Sequence, residues 1–282
     1  MKITFIGGGN MASALIGGLV GQLTTGANIH VVDPNAEQLA RLAAGFGVST
    51  APQIETVAVA SDVIVLAVKP QQMREVAAAL QVQLAQSGGA DGAGGAQPLL
   101  LSIAAGIRGA DLSRWMKGYG AIVRTMPNMP ALIGQGITGM VALSGVSPAQ
   151  RDAADAIMKA VGATVWLDDE ALIDPVTAVS GSGPAYVFYF IEAMQQAAQE
   201  LGLSAEQGQA LALATFTGAA QLAAQSPETV SVLRERVTSK GGTTYAALTS
   251  MEQSGVKQAI IEAIKAAARR GHEMGEELGG AA

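Results

Sequence analysis

Residues 2–15 read KITFIGGGNMASAL, and this stretch determines the predicted fold. An apolar, β-branched run that ends at Gly7 predicts a strand, and the spacing of apolar residues from Asn10 onward predicts a helix directly after it. The turn between them fits the pattern G-x-G-x-x-[GA], with Gly7, Gly9 and Ala12 at its fixed positions. Between a strand and a helix, this pattern is typical of a dinucleotide-binding βαβ unit.

The small residues of this turn have separate physical roles. Gly7 permits the tight turn, Gly9 lets backbone approach a pyrophosphate, and Ala12 keeps the helix close to the strand. The diphosphate is then expected to lie against free N–H groups of the first helical turn, which begins with Asn10 and Met11. The alternative is an ordinary glycine-rich connection without a ligand.

An acidic residue, Asp33, ends the second predicted strand, Asn28–Val32. An acid at this point can hydrogen-bond a ribose 2′-OH, and it should repel a 2′-phosphate. The alternative is a turn or helix-capping aspartate in the sequence Asp-Pro-Asn. The expected cofactor is NADPH or NADH, and Asp33 favours NADH.

Two further strand ends supply candidate cofactor contacts, since ligands of open α/β sheets bind outside the carboxyl ends of the strands. The β-branched run Asp62–Val68 is typical of a strand covered on both faces, and Lys69 after it could reach a ribose or a carboxylate. The run Leu99–Ile103 is followed by small residues that would let backbone lie flat against a nicotinamide. A solvated lysine and plain packing are the alternatives. The candidate contacts here are Val68, Lys69, Pro70, Ala104 and Ala105.

Strand patterns alternate with helical patterns up to about Trp166, and helical patterns alone follow. Such alternation predicts a parallel, doubly wound sheet, with later strands at Ala121–Thr125 and Gly139–Leu143. We therefore expect an α/β fold in which a Rossmann-type domain, residues 1–166, precedes an all-α domain, residues 167–282. The helices predicted for the second domain are Ala185–Leu201, Ser204–Gln225, Glu228–Val237, Thr243–Glu252 and Val256–Leu278.

Composition excludes several classes of function. The net charge is −6 and no run of Lys or Arg occurs, which disfavours a nucleic-acid partner. The absence of Cys excludes disulfides, thiolate chemistry and Cys-ligated metals. The only histidines, His30 and His272, are far apart in sequence, so a His-based metal site and a Ser-His-Asp hydrolase are not expected.

One stretch, Gln207–Pro227, carries no charge and is about as long as a membrane span. Its Gln, Thr and Ser residues favour instead a helix buried within the helical domain or between subunits. The apolar run at the N-terminus stops at Gly7 and is too short for a signal peptide. We therefore expect a cytoplasmic protein without a membrane partner. The Gly-rich segment Ser87–Pro98 is expected to be a flexible surface loop.

Residues 237–248, VTSKGGTTYAAL, are the most informative part of the second domain. Gly241 and Gly242 precede a helix that is expected to start near Thr243. Free N–H groups and the two threonine hydroxyls, including that of Thr244, would converge there and form a carboxylate site. A glycine turn with a threonine N-cap is the alternative, and physical chemistry alone does not choose between them.

This stretch resembles the signature of pyrroline-5-carboxylate reductases, which has a Gly-Gly-x-Thr core that enters a helix. The resemblance extends over essentially the whole chain in the expected order, and the Ser87–Pro98 loop is its main departure. The other segments that resemble the family are FIGGGNMASAL (5–15), LAVKP (66–70), SIAAG (102–106), RTMPNMP (124–130) and AVSGSGPAY (178–186).

The resemblance implies NAD(P)H-dependent reduction of the C=N bond of 1-pyrroline-5-carboxylate, a cyclic imino acid, to L-proline. It implies that Thr244 hydrogen-bonds the ring nitrogen. It also implies that the backbone amides of Thr243 and Thr244 hold the substrate carboxylate, with Ser239, Gly241 and Gly242 beside them. In this family the helical domain interlocks with its twin, the active site forms at the homodimer interface, and dimers can form rings such as decamers. Glu170 corresponds to a family position near the substrate, but we favour an exposed loop acid.

Two other interpretations stay open. A β-hydroxyacid or prephenate dehydrogenase also joins a Rossmann domain to a helical one, but its oxidation usually needs a Lys or His base. The second domain offers Lys240 and no suitably placed His. A non-catalytic dinucleotide-binding redox sensor is the other alternative. The detailed Gly-Gly-Thr-Thr sequence disfavours both.

Overall fold

The computed structural model describes residues 1–87 and 97–280. Most of the predicted Ser87–Pro98 loop therefore lies outside the described residues. The chain divides into two compact units: Met1–Ser182 together with the segment from Ala267 onward, and Gly183–Ala266. The predicted boundary after residue 166 differs from this division. Residues 167–182 belong to the first unit, where Val176 packs so closely on Gly139 that an added Cβ would lie 2.7 Å from its Cγ1.

The first unit is built on an eight-stranded sheet in the order β3-β2-β1-β4-β5-β6-β7-β8. The chain moves outward from β1 in one direction to β3 and then crosses back to β4, so β1 and β4 flank the topological switch point. This order confirms the Rossmann-type prediction. The strands are β1 Ile3–Ile6, β2 Ile29–Val32, β3 Ser49–Ala51, β4 Val63–Leu66, β5 Leu99–Ser102, β6 Ile122–Met126, β7 Gly136–Ala142 and β8 Gly162–Trp166.

The sheet is parallel as predicted except for one antiparallel pairing. Strand β7 runs antiparallel to β6, with Thr125 opposite Met140, and β8 is again parallel to β7. The connection 127–135 explains the reversal. It is shorter than the dozen or more residues that a parallel crossover needs, and it contains only a 3₁₀ turn, Met129–Ile133.

Helices cover both faces of the sheet and enclose two apolar layers. Alternate residues of each central strand enter opposite layers: Val63 and Val65 pack in one, and Ile64 and Leu66 in the other. This two-sided burial is the reason that the strands read as continuous apolar runs. The helices of this unit are α1 Asn10–Leu19, α2 Ala36–Phe46, α3 Thr56–Val59, α4 Met73–Gln86, α5 Gly109–Trp115, α6 Pro148–Lys159 and α7 Ile173–Val176.

The second unit is entirely helical among its described residues, as predicted. Helices α8 and α9 pack on each other, with the Phe190 and Phe216 rings edge to face at a centroid distance of 5.6 Å. Its helices are α8 Gly183–Glu200, α9 Ala205–Gln225, α10 Val230–Arg236, α11 Thr243–Gln253 and α12 Val256–Gly279, the last of which continues into the first unit.

Helix α9, which contains the uncharged stretch, is largely exposed in the single chain. Only Gly208 and Ala212 are buried on it, whereas Leu211 and Leu222 are more than half exposed. Of the two expected locations, burial within the helical domain is therefore wrong for this helix. Among the described residues, no helix combines the length and the apolar character that a membrane crossing needs.

Candidate functional site

The turn between β1 and α1 requires glycine at its first position. Gly7 has a φ of +100°, and an added Cβ would lie 2.4 Å from the carbonyl oxygen of Ala67, at the end of β4. Its N–H donates to the carbonyl of Val32 at 2.8 Å, which ties the turn to the end of β2. The carboxyl ends of β2, β1 and β4 are therefore held together around Gly7.

The N-terminus of α1 is open. Gly9 is the N-cap residue and provides no side-chain cap, and an added Cβ there would meet nothing within 4 Å. The first helical turn contains no acidic residue, Asn10 is exposed and Met11 is half-buried, while Ala12 is buried in the core. Free N–H groups at the positive end of a helix favour an anion such as a diphosphate.

Asp33 follows β2 and is fixed from two sides. Its Oδ2 accepts the N–H of Gly8 at 2.7 Å, and its Oδ1 accepts the N–H of Asn35 at 2.8 Å. The helix-capping alternative does not hold, because the N-cap of α2 is Asn35, whose Oδ1 accepts the N–H of Gln38 at 3.1 Å. The turn alternative does hold, since the bond from the N–H of Asn35 to Oδ1 closes a turn at Asp33. An ionised carboxylate has about four acceptor positions, so two stay open for a ribose hydroxyl.

The sequence pattern gives no role to Gly8 or Gln38, yet both shape this turn. The Gln38 side-chain amide donates to the carbonyl of Gly8, and an added Cβ at Gly8 would lie 3.0 Å from Leu42 Cδ1. The middle glycine thus fits against α2 while its peptide is bonded on both sides. The available signal was the additional glycine at position 8, which the G-x-G pattern does not require.

The other predicted cofactor residues follow β4 and β5 at the same edge of the sheet. Val68 is half-buried, Lys69 is exposed, and Pro70 begins a 3₁₀ turn that leads into α4. Ala104 is buried and Ala105 is half-buried in the segment after β5. The whole predicted set therefore lies along the carboxyl ends of four adjacent strands, where ligands of such sheets bind.

The predicted substrate residues converge at the start of α11, within the second unit. Gly241 has a φ of +76°, and Gly242 donates its N–H to the Ser239 carbonyl at 3.0 Å to close the turn. An added Cβ at Gly242 would lie 2.6 Å from Ser239 Oγ, so this hydroxyl lies directly beside the backbone.

The helix that follows this turn has Gly242 as its N-cap, without a side-chain cap. The threonine N-cap alternative is therefore wrong: Thr243 and Thr244 are the first two helical residues, the former exposed and the latter half-buried. An uncapped N-terminus with a hydroxyl beside it can receive a carboxylate.

Glu170 is not the exposed loop acid that we favoured. Its side chain is 29% exposed, and its Oε1 accepts from Arg124 Nη1 at 2.9 Å and from the N–H of Gly109 at 2.6 Å. In the segment Ser180–Pro184, Gly181 serves close packing, since an added Cβ there would lie 2.6 Å from Met126 Cε.

Neither histidine belongs to the predicted cofactor or substrate set: His272 lies on α12 with its Nδ1 3.5 Å from Asp174 Oδ2, and its side chain is largely exposed. His30 lies in β2 and its Nδ1 hydrogen-bonds Ser49 Oγ at 2.9 Å. Burial lowers the pKa of its imidazole, and the nearby Glu55 only partly opposes this. Within the described part of the chain, no cluster of three His, Cys, Asp or Glu side chains could hold a metal ion.

Two parts of the chain match known protein families. Residues 170–274 match the family described as pyrroline-5-carboxylate reductase dimerisation, and residues 2–88 match the family described as NADP oxidoreductase, coenzyme F420-dependent. Among curated proteins, the chain is 45% identical to a pyrroline-5-carboxylate reductase of Pseudomonas aeruginosa, with 99% of this chain and 98% of the relative covered. It is 41% identical to that of Haemophilus influenzae, over 96% and 97%.

Solved structures give the same result. A pyrroline-5-carboxylate reductase from Coxiella burnetii superposes with a TM-score of 0.88 at 37% identity, covering 97% of this chain and 98% of that one. The Plasmodium falciparum pyrroline carboxylate reductase with NADP bound superposes at 0.84 with 29% identity, covering 98% of each chain. A prephenate dehydrogenase from A. aeolicus, at 0.53 and 14% identity, shares the fold alone.

Proposed function

The chain belongs to the pyrroline-5-carboxylate reductase family and is an NAD(P)H-dependent oxidoreductase that acts on an imine, and we propose that the two residue sets described above perform its reaction. The substrate is 1-pyrroline-5-carboxylate and the product is L-proline. The observation that carries the site assignment is the start of α11, where Gly241, Gly242 and Ser239 surround an uncapped helix N-terminus. The family resemblance predicted this place for the substrate.

The cofactor set fits a dinucleotide. The cradle at Gly7 has no room for a side chain, and the open N-cap at Gly9 exposes the N–H groups of α1 to a diphosphate. Asp33 is held where a ribose hydroxyl is expected, and Val68, Lys69, Pro70, Ala104 and Ala105 line the adjoining strand ends. When bound, the reduced nicotinamide supplies the hydride to the C=N carbon.

The substrate set positions the imine and neutralises its carboxylate. The backbone N–H groups of Thr243 and Thr244 donate to the carboxylate at the positive end of α11. The Thr244 hydroxyl oxygen accepts the N–H of the protonated ring nitrogen, and Ser239 supports the carboxylate. A protonated imine is already electrophilic, so no protein base is required. Holding the two reactants in contact is the main contribution of the chain.

Residues 170–274 match a dimerisation family, and the protein is therefore a homo-oligomer. Beyond the dimer, we propose further assembly into a ring such as a decamer, supported by the many exposed apolar side chains of the second unit. Light scattering on the purified protein measures the assembly directly, and a mass of two chains would contradict the ring. We also propose a cytoplasmic location, which fits a biosynthetic reaction that draws on NAD(P)H.

One assay separates this function from its alternatives. We expect NAD(P)H oxidation with 1-pyrroline-5-carboxylate and no NAD⁺ reduction with 3-hydroxyisobutyrate. A dehydrogenase of the β-hydroxyacid type would give the opposite result. Cofactor binding without turnover of either substrate would support the redox-sensing module instead.

A further inference from the structure

The loop that connects β5 to α5, residues 103–108, carries two of the expected cofactor contacts, Ala104 and Ala105. Its beginning is fixed by a residue of the neighbouring strand β6. Thr125 is 1% exposed, and its hydroxyl donates to the carbonyl of Ser102, the last residue of β5, at 2.9 Å. A buried side chain therefore fixes the point at which the loop leaves the sheet.

The end of the same loop is fixed by the residue next to Thr125. Arg124 is 3% exposed, and its Nη1 lies 2.9 Å from Oε1 of Glu170, with Asp174 a more distant second partner at 3.8 Å. The same Glu170 oxygen accepts the N–H of Gly109, the first residue of α5, at 2.6 Å. Two adjacent residues of β6 thus hold the two ends of one loop.

The middle of the loop is held by van der Waals packing rather than by hydrogen bonds to side chains. Gly106 turns the chain with a φ of +72°, and an added Cβ would lie 3.2 Å from Leu278 Cδ1 and 3.3 Å from Met274 Cβ. The loop is therefore fixed at its start, middle and end by side chains of the first unit.

Stability alone is a weak reason for such an arrangement. A buried ion pair loses much of its Coulombic gain to desolvation, and apolar residues of similar size often serve as well. Hydrogen bonds to both ends of a loop do fix the position of its backbone, which is what a binding surface made of small residues needs.

We propose that Arg124, Thr125 and Glu170 are positioning residues that hold the 103–108 loop against the nicotinamide half of the cofactor. The inference rests on the proposed function, because that function assigns Ala104 and Ala105 to the cofactor. The three side chains act through the loop and touch neither reactant.

The test measures the Kd of NADPH and NADH on the purified full-length protein without any imine, by titration of nicotinamide fluorescence. Thr125→Val should weaken binding about tenfold, the effect of losing one good hydrogen bond. Glu170→Ala should weaken it at least as much, because it removes the bonds from both Arg124 and Gly109. Thr125→Ser and Glu170→Gln keep an oxygen at the same place and should recover most of the affinity. The KM for the imine should stay at the wild-type value in all four.

The matched control is Lys159→Gln, which removes an ion pair with Asp155 on α6 at 2.7 Å. It should leave both cofactor Kd values unchanged. The melting temperatures of all variants are measured to identify a purely structural role. Variants that melt earlier but bind the cofactor as tightly as wild type would overturn the inference. If Glu170→Ala does not fold, Thr125→Val still allows this comparison. A wild-type protein that binds neither cofactor would overturn the proposed function itself, and the inference with it.

Discussion

Thr244 is the residue on which the proposed chemistry depends most directly. If its hydroxyl bonds the ring nitrogen during reduction, Thr244→Ala should lower kcat roughly ten- to a hundredfold, since a hydrogen bond to a charged group contributes about 1.5–3 kcal/mol. Cofactor affinity should stay nearly unchanged, and Thr244→Ser should retain much of the activity. The measurement is kcat and melting temperature on the same preparations. A Thr244→Ala enzyme that melts early but turns over normally would remove Thr244 from the mechanism.

Asp33 determines the expected cofactor preference. Because Gly8 and Asn35 hold its carboxylate by their N–H groups, it cannot easily turn away from a 2′-phosphate. We expect NADH to be used with the higher kcat/KM, and Asp33→Ser to shift the ratio toward NADPH. The measurement is kcat/KM with each cofactor for both proteins. An unchanged ratio would show that Asp33 does not read the ribose.

Single residues also show where sequence reasoning ends. The chemistry of Gly7 and Gly9 follows from a local pattern, because a turn and a helix N-terminus are made by neighbouring residues. The role of Glu170 could not be found in this way. Its partners, Arg124 and Gly109, lie 46 and 61 positions away, and only the fold brings them together.

At the scale of elements, the helices of the second unit were predicted within a few residues, because glycine or proline punctuates each of them. Strand β3 was missed because three residues, of which two are exposed, give too short a pattern. The edge strand β8 was missed because its burial is only partial. The antiparallel direction of β7 was not predicted, although the short 127–135 connection excludes a parallel crossover.

The edge of the sheet offers a pH-dependent contact between two elements. Asp155 of α6 accepts from Thr164 Oγ1 at 2.7 Å and from Trp166 Nε1 at 3.0 Å, both in β8, and it pairs with Lys159. Burial alone would raise the pKa of this carboxyl. The hydrogen bonds from these three partners outweigh it, so its pKa lies below the ordinary value.

A lowered pKa in the folded state means that ionised Asp155 stabilises the protein above its ordinary pKa and stops doing so as the pH falls. Asp155→Asn should therefore melt at a lower temperature than wild type at pH 7, and the difference should shrink below about pH 4. Melting temperatures between pH 7 and pH 3 test this, with Asp152→Asn, an exposed position of the same helix, as control. A difference that stays constant with pH would contradict the assignment.

At the scale of the whole molecule, the distribution of apolar side chains indicates a self-association surface. In the second unit Leu201 is 85% exposed, Tyr189 76% and Val230 71%, which a monomer would leave in water. Exposed apolar surface of this extent marks an interaction site. The low charge content of the chain predicted such a surface, and the uncharged stretch Gln207–Pro227 was its candidate helix. The sequence could not show which side of that helix faces the interface, because a uniformly uncharged helix has no preferred side.

Helix α9 is where the interface can be tested. Leu211 and Leu222 are 56% and 58% exposed, and their spacing of three helical turns puts them on one side of the helix. Leu222→Glu would bury a carboxylate in an apolar contact, so we expect the dimer to dissociate at concentrations at least about a hundredfold higher than for wild type. Sedimentation velocity across a dilution series measures this. Val82→Glu, at a 49% exposed apolar position on α4 in the first unit, is the matched control and should leave the dimer intact. The family resemblance implies an active site at the dimer interface, so we expect activity to fall in parallel with the dimer fraction. A stable, fully active monomer of the wild type or of Leu222→Glu would contradict both the interface and the dependence of the site on it.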